Sequence, residues 1–309
     1  MSNEKPKAVV IAGPTGSGKT SFAVELASLL NGEVINSDSM QVYRHMDIGT
    51  AKPTSEETKG IPHHMLDIVD PDEEFNAATF CSVAQPMVED ICSRGKVCFV
   101  VGGTGLYIKA LLGGLLSCPP ADNSLRASIE RDFDLYGAEE FYRILCSIDP
   151  TAADKIHPND RVRTIRALEI YHMTGKTITE LSRQHGFGEK KLDAVKLCLD
   201  IDRDELYERI NSRVLLMVNG GLIQETKKLL DKGYSPELKP LKAIGYRHMI
   251  AYLSGEWPLD KAVERMQRDT RRYAKRQLTW FRADKEYNWI ASNRLDEVIG
   301  EINNFIGSD

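Results

Sequence analysis

The residues whose types and spacing best suit a chemical role form a glycine-rich run near the start of the chain. Residues 13–20 read GPTGSGKT, the pattern G-x-x-x-x-G-K-T, and they follow the apolar run at residues 8–12. A helical pattern comes next, and strand, glycine-rich loop and helix is the order in which this motif binds phosphate. Glycines let several N–H groups face one anion, and the helix N-terminus adds free donors and a favourable dipole.

Two polar residues end this loop, and each has a predicted role. Lys19 supplies a point charge to a bound phosphate, and the Thr20 hydroxyl can ligate Mg²⁺. The alternative is an ordinary glycine-rich turn between a strand and a helix, which is disfavoured because motif and context agree. The motif alone does not tell which phosphates the loop holds.

Two further polar turns follow predicted buried strands. Asp38 follows the strand at residues 33–36, and ligands of open α/β sheets bind at the C-terminal ends of strands. The same carboxylate could instead cap the next helix. A second glycine turn, GGTGLY at 102–107, follows the strand at 96–101. Its hydroxyl could reach a ligand over the phosphate loop, or the segment could be only a tight strand–helix turn.

Two adjacent histidines, His63 and His64, lie in a segment from Gly49 to Pro71 that we expect to be irregular because it contains several prolines and glycines. Adjacent histidines suggest metal ligands, but no third ligand stands at a suitable spacing. The pattern therefore favours hydrogen-bonded structural histidines.

The order of the elements predicts an α/β core with a helical insertion. Strands are predicted at 8–12, 33–36, 96–101, 194–199 and 286–290. The composition changes at Leu116–Pro120, and from Asp122 to about Gly188 the pattern is helical and charged. We expect a core of residues 1–117 and 194–309, with residues 118–193 as an α-helical insertion domain.

Bulk composition excludes several classes of protein. The 309 residues carry a net charge of −5, with 42% hydrophobic and 28% charged residues, as in ordinary soluble proteins. The six cysteines form no C-x-x-C pair, which disfavours zinc and dithiol sites. Residues 1–7 are polar and no apolar run approaches a membrane span, so we expect a cytoplasmic protein without membrane contact.

Two stretches are basic against this acidic background. One contains Arg161, Arg163 and Arg166. The other, residues 265–282, has seven basic residues and one acidic residue, a formal charge of +6, with three aromatic residues among them. Such a stretch can follow a phosphate backbone and stack on bases, although a solvated helix face is the commoner reason for clustered charge.

The sequence resembles a known family, the bacterial tRNA dimethylallyltransferases, which are also called tRNA isopentenyltransferases. The resemblance covers residues 7–290. The phosphate loop is shared by many nucleotide-binding enzymes, whereas other runs are more specific to this family. These are INSDSMQVY at 35–43, PHH at 62–64, GGTGLY at 102–107, RALE at 166–169, GYR at 245–247 and KRQLTW at 275–280.

The resemblance implies a P-loop kinase-like α/β core with a parallel sheet and a helical insertion. It also implies transfer of a dimethylallyl group from dimethylallyl diphosphate to tRNA, with release of diphosphate. The acceptor is the exocyclic amine of the adenine immediately 3′ of the anticodon. Mg²⁺ is the implied cofactor, tRNA binds through its anticodon stem-loop, and we expect a monomer.

Site residues also follow from the resemblance. Asp38 and Thr104 are the implied catalytic residues: Asp38 is the general base, and Thr104 contacts the target nucleotide or helps to orient the substrates. Diphosphate binding is implied for Gly13, Thr15, Gly16, Ser17, Gly18, Lys19, Thr20 and Arg213, with Thr20 on the metal; Arg213 could otherwise be a surface arginine. tRNA binding is implied for Asp38, Ser39, Met40, Gln41, Thr104, Arg126, Arg163, Thr164, Arg166, Lys242, Tyr246, Arg247, Lys275, Arg276 and Gln277.

Two other functions use the same loop. A small-molecule or nucleotide kinase would bind ATP there, but no adenine-specific signature stands out and the basic stretch would have no evident task. A nucleotide switch or RNA-binding NTPase is the second alternative, but the guanine-reading motif N-K-x-D is missing. Label from dimethylallyl diphosphate or from ATP, followed with and without tRNA, separates the three.

Overall fold

The computed structural model describes residues 5–115, 122–185 and 191–307. Within them, a parallel six-stranded sheet forms the core of the larger of two compact units, which confirms the predicted α/β class. The order in the sheet is β3-β2-β4-β1-β5-β6. The strands are β1 Lys7–Ala12, β2 Gly32–Asn36, β3 His63–His64, β4 Val97–Gly102, β5 Asp193–Asp200 and β6 Asn288–Ala291.

The helices cover both faces of this sheet and build the smaller unit. Within the described ranges, every helix is too short or too polar to cross a bilayer. In chain order the helices are α1 Lys19–Leu29, α2 Ser55–Thr58, α3 Ala77–Ser93, α4 Gly105–Gly113, α5 Asn123–Ile148, α6 Pro150–Ala153, α7 Arg161–Thr174, α8 Ile178–His185, α9 Arg203–Asn219, α10 Leu222–Asp231, α11 Tyr246–Leu253, α12 Leu259–Ala283 and α13 Leu295–Gly307.

The two units are Met1–Leu112 with Lys191–Asp309, and Gly113–Lys190. The smaller unit is helical in its described part and contains α5 to α8. Helix α5 is interrupted at Gly137, whose φ of 84° breaks the helical path. The composition change at Leu116–Pro120 and the end of the helical pattern near Gly188 lie outside the described residues.

Strand β1 lies at the centre of the sheet and is buried on both faces. Its alternate side chains enter two separate cores, because successive residues of a strand point to opposite faces. Val9 and Ile11 pack with residues of α1 and α13, whereas Ala8 and Val10 pack with residues of α3. A continuous apolar run is the pattern expected for such a strand.

The strand register brings the carboxyl ends of the central strands to one edge. Ala12 of β1 is paired with Gly102 of β4, and Asn36 of β2 with Val101 of β4. The turns that follow these three strands therefore start side by side. This edge is where an open parallel sheet places its ligands.

The segment 49–71, which we expected to be irregular, contains the short helix α2 and the edge strand β3. The expectation was wrong for these residues because a two-residue strand is too short to show a periodic pattern. The histidines of β3 have structural partners: Nδ1 of His63 lies 2.9 Å from the Ile61 carbonyl oxygen, and Nε2 of His64 lies 2.8 Å from Glu33 Oε2. No cluster able to hold a metal ion occurs among the described residues.

Glu33 of β2 is a buried carboxylate that ties three elements together. Nη2 of Arg94 donates to its Oε2 at 2.9 Å, and Nζ of Lys96 donates to its Oε1 at 2.6 Å. His64 contacts the same carboxylate from the edge strand. The hydrogen bonds from Arg94 hold the pKa of Glu33 well below its usual range, against the opposing effect of burial.

Replacement of Glu33 by Gln should destabilise the core by about 3 kcal/mol. This is the lower end of the range for breaking a buried ion pair, because the cations are partly exposed and can reach water. The measurement is urea unfolding at pH 7, with Glu25→Gln on the exposed face of α1 as the control.

The difference in unfolding free energy between the wild-type protein and Glu33→Gln should depend on pH, and the sign of this dependence follows from the lowered pKa of Glu33. A depressed carboxylate pKa stabilises the folded state above the unfolded pKa, and the effect is lost as pH falls below about 4. The stability gap between the wild-type protein and Glu33→Gln should therefore narrow in acid. A gap that is absent at pH 7, or that widens in acid, would contradict this role for Glu33.

Candidate active site

The loop between β1 and α1 has the backbone geometry of a phosphate cradle. Gly16 and Gly18 both have φ of 86°, a conformation that favours glycine. A Cβ on Gly13 would lie 2.8 Å from Ser17 Oγ, so the loop closes tightly on itself there. The N-terminal N–H groups of α1, which begins at Lys19, are available to an anion.

Two cations lie against this loop. Nζ of Lys19 donates to the Pro14 carbonyl oxygen at 3.3 Å, and Arg213 of α9 donates to the Thr15 hydroxyl. Burial lowers the pKa of Lys19 to about 8; Asp38 opposes this effect and Arg213 adds to it. Burial also lowers the pKa of Arg213. Two partly desolvated cations at one glycine loop form an arrangement that suits an anion, and Arg213 is half-buried against the cavity.

Asp38 lies in the turn after β2, where it bonds the backbone of that turn and also lies against a cavity. Its Oδ1 accepts from the backbone N–H groups of Met40 at 2.8 Å and Gln41 at 3.3 Å, so the carboxylate does cap the following turn. It also lines the main cavity of this edge. Among the described residues, Oδ2 accepts no hydrogen bond, which leaves it available to a ligand in the cavity.

The turn after β4 is joined to the Asp38 turn through Thr104. The N–H of Ser39 donates to Thr104 Oγ1 at 3.1 Å, and the N–H of Thr104 donates to the Ser37 carbonyl oxygen at 3.3 Å. The Thr104 hydroxyl also lies near the phenol of Tyr273 on α12. Burial and the charge of Asp38 raise the pKa of Tyr273, so this phenol stays protonated at neutral pH.

Gln277 of α12 connects the phosphate loop to the second glycine turn. Its Oε1 accepts from the N–H of Thr15 at 2.8 Å, and its Nε2 donates to the Gly103 carbonyl oxygen at 2.9 Å. A Cβ on Gly103 would lie 2.1 Å from Nε2, so only glycine permits this approach. The resemblance assigned Gln277 to tRNA. In the structure, the oxygen and the nitrogen of its side-chain amide both form hydrogen bonds within the protein.

These turns and three helices enclose a cavity of about 310 Å³. One part is polar and charged, and the other is lined by methionine and aliphatic side chains. The site residues brought together here are Thr15, Asp38, Ser39, Met40, Arg213, Tyr246, Arg247 and Arg276, with Gly49, Thr50, Val214, Met217, Ala243, Ile244, Met266, Thr270 and Tyr273 completing the lining.

Family profiles and related sequences all match this chain to the same family of enzymes. The IPP transferase family profile matches residues 41–284, and an Isopentenyl transferase profile matches residues 6–70. A tRNA dimethylallyltransferase 2 of Geotalea uraniireducens is 51% identical over 93% of both chains. The tRNA dimethylallyltransferase of Geobacter sulfurreducens is 51% identical over 94% of this chain and 93% of its own.

Solved structures agree with the sequences. The tRNA isopentenylpyrophosphate transferase of Bacillus halodurans has a TM-score of 0.72 and 46% identity, covering 98% of this chain and 96% of its own. A eukaryotic dimethylallyltransferase studied as it acts on tRNA has a TM-score of 0.83 and 33% identity, covering 98% and 80%. The chain belongs to the tRNA dimethylallyltransferase family. The fold expected from the resemblance, a P-loop type α/β core, is thereby confirmed.

The family resemblance assigned four residues of the smaller unit to tRNA, and the structure groups three of them around Asp160 and Glu169. Arg126 and Arg166 both donate to Oε2 of the buried Glu169, at 2.7 and 2.8 Å. Arg163 is exposed and pairs with Asp160 at 3.1 Å. Thr164 is buried, so its side chain faces the interior of this unit.

The dimethylallyltransferase residues assigned to tRNA in the core differ in exposure. Lys242, Arg247, Lys275 and Arg276 are exposed. Tyr246, by contrast, is fully buried, and its hydroxyl donates to Glu225 Oε1 at 2.6 Å. Neither Glu225 nor the Thr104–Tyr273 contact was found from the sequence, since a side chain's type does not reveal a partner far along the chain.

The basic stretch lies on α12, and some of its cationic side chains have partners within the protein. Asp269 accepts from Arg247 at 2.6 Å and from Arg268 at 3.1 Å, and Arg271 donates to Asn211. Of the seven basic residues in this stretch, Arg268 and Arg271 therefore form hydrogen bonds within the protein. Lys275 and Arg276, one turn further on, are exposed and closer to the cavity residues of α12.

The lowered pKa of Lys19 predicts a pH dependence of anion binding in this dimethylallyltransferase. Lys19 is charged below its pKa of about 8, so the affinity for inorganic pyrophosphate should fall as pH rises through that value. Between pH 8 and 9 the fall should be about fivefold, because the charged fraction drops from about one half to about one tenth.

Calorimetric titration over pH 6.5–9.5 measures this effect. Lys19→Arg is the control, because arginine stays charged over the whole range. It also corrects for the change in charge of pyrophosphate itself. Parallel profiles for the two proteins would exclude Lys19 as the titrating group.

Proposed function

We propose that this protein transfers a dimethylallyl group from dimethylallyl diphosphate to the exocyclic amine of the adenine immediately 3′ of the anticodon in tRNA. The observation that carries the proposal is the shared cavity. Thr15 of the glycine loop, the Arg213 cation that contacts it, apolar side chains and the Asp38 carboxylate all line it. A diphosphate, a short hydrocarbon chain and an amine about to lose a proton are the groups that such a cavity suits.

The glycine loop holds the diphosphate end of the donor. The loop N–H groups, Lys19 and Arg213 offset the negative charge that develops on diphosphate as its bond to carbon breaks. The hydroxyl of Thr20, in the first turn of α1, is the protein oxygen that fits Mg²⁺. Mg²⁺ takes most of its other ligands from phosphate oxygens and water, and when bound it neutralises charge on the leaving group.

Asp38 acts on the acceptor. The adenine nitrogen attacks the first carbon of the allyl group, the bond from that carbon to the diphosphate oxygen breaks, and diphosphate leaves. The amine proton passes to the Asp38 carboxylate. A general base is needed because the lone pair of the amine is delocalised into the ring and the nitrogen gains nucleophilicity as it loses a proton.

The adenine has to leave its stack to reach the cavity, as in other enzymes that modify a base. Ser39 and Met40 line the cavity and are suited to contact it. Gln41 supports them from behind, because its Nε2 donates to the Thr50 and Ala51 carbonyl oxygens at 3.0 and 2.9 Å. Thr104, bonded to Ser39 and close to Tyr273, orients this turn.

Exposed and half-buried cations bind the anticodon stem-loop in this proposal. Burial of Thr164, Tyr246 and Gln277 argues that these three position other groups instead of contacting RNA. The proposal includes action as a monomer, and a tRNA substrate supports action in the cytoplasm. The residues proposed to bind RNA directly are Arg126, Arg163, Arg166, Lys242, Arg247, Lys275 and Arg276.

A labelling experiment separates this function from kinase and NTPase activities. The protein is incubated with labelled dimethylallyl diphosphate or labelled ATP, with and without bulk tRNA. Prenyl label that moves into tRNA supports the transferase. ATP consumption without tRNA supports a kinase, and ATP turnover stimulated by tRNA without prenyl transfer supports an RNA-dependent NTPase.

Replacement of Asp38 by Asn should lower the transfer rate by roughly 10²–10⁴, the usual contribution of a positioned general base. The fold and both binding affinities should change little, because Asn has the same size and keeps one oxygen for the Met40 and Gln41 N–H groups. Single-turnover transfer at saturating substrates, over a Mg²⁺ series, is the measurement.

The exposed Asp231→Asn variant is the control for Asp38→Asn and should transfer at the wild-type rate. A residue that only caps the turn would cost about 1 kcal/mol of stability with little effect on rate. A metal ligand would give weak diphosphate binding that extra Mg²⁺ restores. Either result would remove Asp38 from the role of base.

Neutralisation of Lys275 and Arg276 by Gln should weaken tRNA binding and flatten its dependence on salt. Each lost phosphate contact should reduce the log–log slope by roughly 0.7–0.9. Filter binding of tRNA from 50 to 300 mM KCl gives the slope, and Lys59→Gln, at the exposed residue that follows the short helix α2, is the control. An unchanged slope would assign this part of α12 to a solvated face.

A further inference from the structure

Glu225 of α10 is a carboxylate that accepts four hydrogen bonds from one side of the cavity. Its Oε2 accepts from the N–H groups of Asp47 at 3.0 Å and Ile48 at 2.8 Å. Its Oε1 accepts from the N–H of Gly49 at 3.0 Å and from the Tyr246 hydroxyl at 2.6 Å. Three successive backbone donors are thus fixed by one side chain that lies 176 to 178 residues further along the chain.

The segment that Glu225 holds forms part of the cavity wall. Gly49, Thr50 and Tyr246 all line the cavity. A Cβ on Gly49 would lie 2.4 Å from the Tyr246 ring, so the backbone packs directly on that ring. Gln41 secures the next residues through the Thr50 and Ala51 carbonyl oxygens. The wall is therefore rigid because of polar contacts behind it, not because of its own side chains.

The distance between this wall and the proposed diphosphate site follows from the rise per residue along helix α9. Arg213 contacts the phosphate loop, and Met217 lies one turn further along α9, roughly 6 Å away at 1.5 Å per residue. Gly221 follows the end of α9, roughly 12 Å from Arg213 on the same scale. The Ile48 side chain lies beside it, since an added Cβ on Gly221 would be 3.6 Å from Ile48 Cδ1.

Val214 and Met217 follow Arg213 on α9 and line the same cavity as Gly49 and Tyr246, so they offer an apolar path to a hydrocarbon chain whose diphosphate lies at Arg213. Along this path a five-carbon chain would end near Met217. A ten-carbon chain would need the space that the Asp47–Gly49 segment and the Tyr246 ring occupy.

We propose that Glu225 is a positioning residue that sets the length of prenyl chain this enzyme accepts. It does so by holding the Asp47–Gly49 segment and the Tyr246 ring as a fixed wall beyond Met217. The proposal rests on the proposed prenyl transfer, and it adds a residue that touches neither substrate. A glutamine at this position has one carbonyl oxygen for four donors, and its amide N–H₂ would face N–H groups.

The test compares two donors, dimethylallyl diphosphate and geranyl diphosphate, with the same tRNA. For each protein, kcat/KM is measured with both donors and their ratio is taken. This ratio does not depend on the fraction of active protein, so a variant that folds poorly still gives a valid value. We expect Glu225→Gln to lower the C5-to-C10 ratio about tenfold, since a hydrophobic pocket discriminates single methylenes by 10- to 200-fold.

Two further variants sharpen the result. Tyr246→Phe removes one of the four donors but keeps the ring, so the ratio should fall less than in Glu225→Gln. Glu208→Gln, at an exposed position of α9, is the matched control and should keep the wild-type ratio. An unchanged ratio in Glu225→Gln overturns the proposal. Absence of prenyl transfer by the wild-type protein would instead overturn the proposed function, so the two failures are distinguishable.

Discussion

The side chain of Gln277 is the contact on which the geometry of the whole site depends. Its amide oxygen accepts from the backbone of the glycine turn after β1, and its amide nitrogen donates to the backbone of the glycine turn after β4. Sheet register brings these turns side by side, but it does not fix the direction of the Thr15 N–H or the Gly103 carbonyl. A buried amide that satisfies both does fix them, and it leaves the remaining loop N–H groups for the anion.

The same contact places α12 relative to the phosphate loop. Three neighbouring residues of this helix contact different parts of the site. Tyr273 lies near Thr104, Arg276 lines the cavity, and Gln277 bonds the phosphate loop. Since the cationic residues of α12 are on the same rigid helix, an RNA bound to them is held at a defined distance from the diphosphate. A loop could not give that precision, because its ends can move independently.

Much of this arrangement follows from the sequence. Continuous apolar runs predicted the central strands, and the rule that ligands bind at strand carboxyl ends placed Asp38 beside the phosphate loop. The two-residue strand β3 escaped prediction because it is too short for periodicity. The tRNA contacts expected of Tyr246, Thr164 and Gln277 remain predictions, although all three side chains are buried. Their types suit both RNA contact and internal hydrogen bonds, and only packing distinguishes these uses.

The structural contacts of Asp38 are compatible with the chemical role proposed for the same side chain. Its Oδ1 is fixed by the N–H groups of Met40 and Gln41, which orients the carboxylate towards the cavity. The Gln41 side chain continues to the Thr50 carbonyl oxygen, and the adjoining segment is held by Glu225. The proposed base and the wall of the cavity therefore belong to one hydrogen-bonded framework. Orientation of this kind lowers the entropy that a reacting pair would otherwise lose on approach.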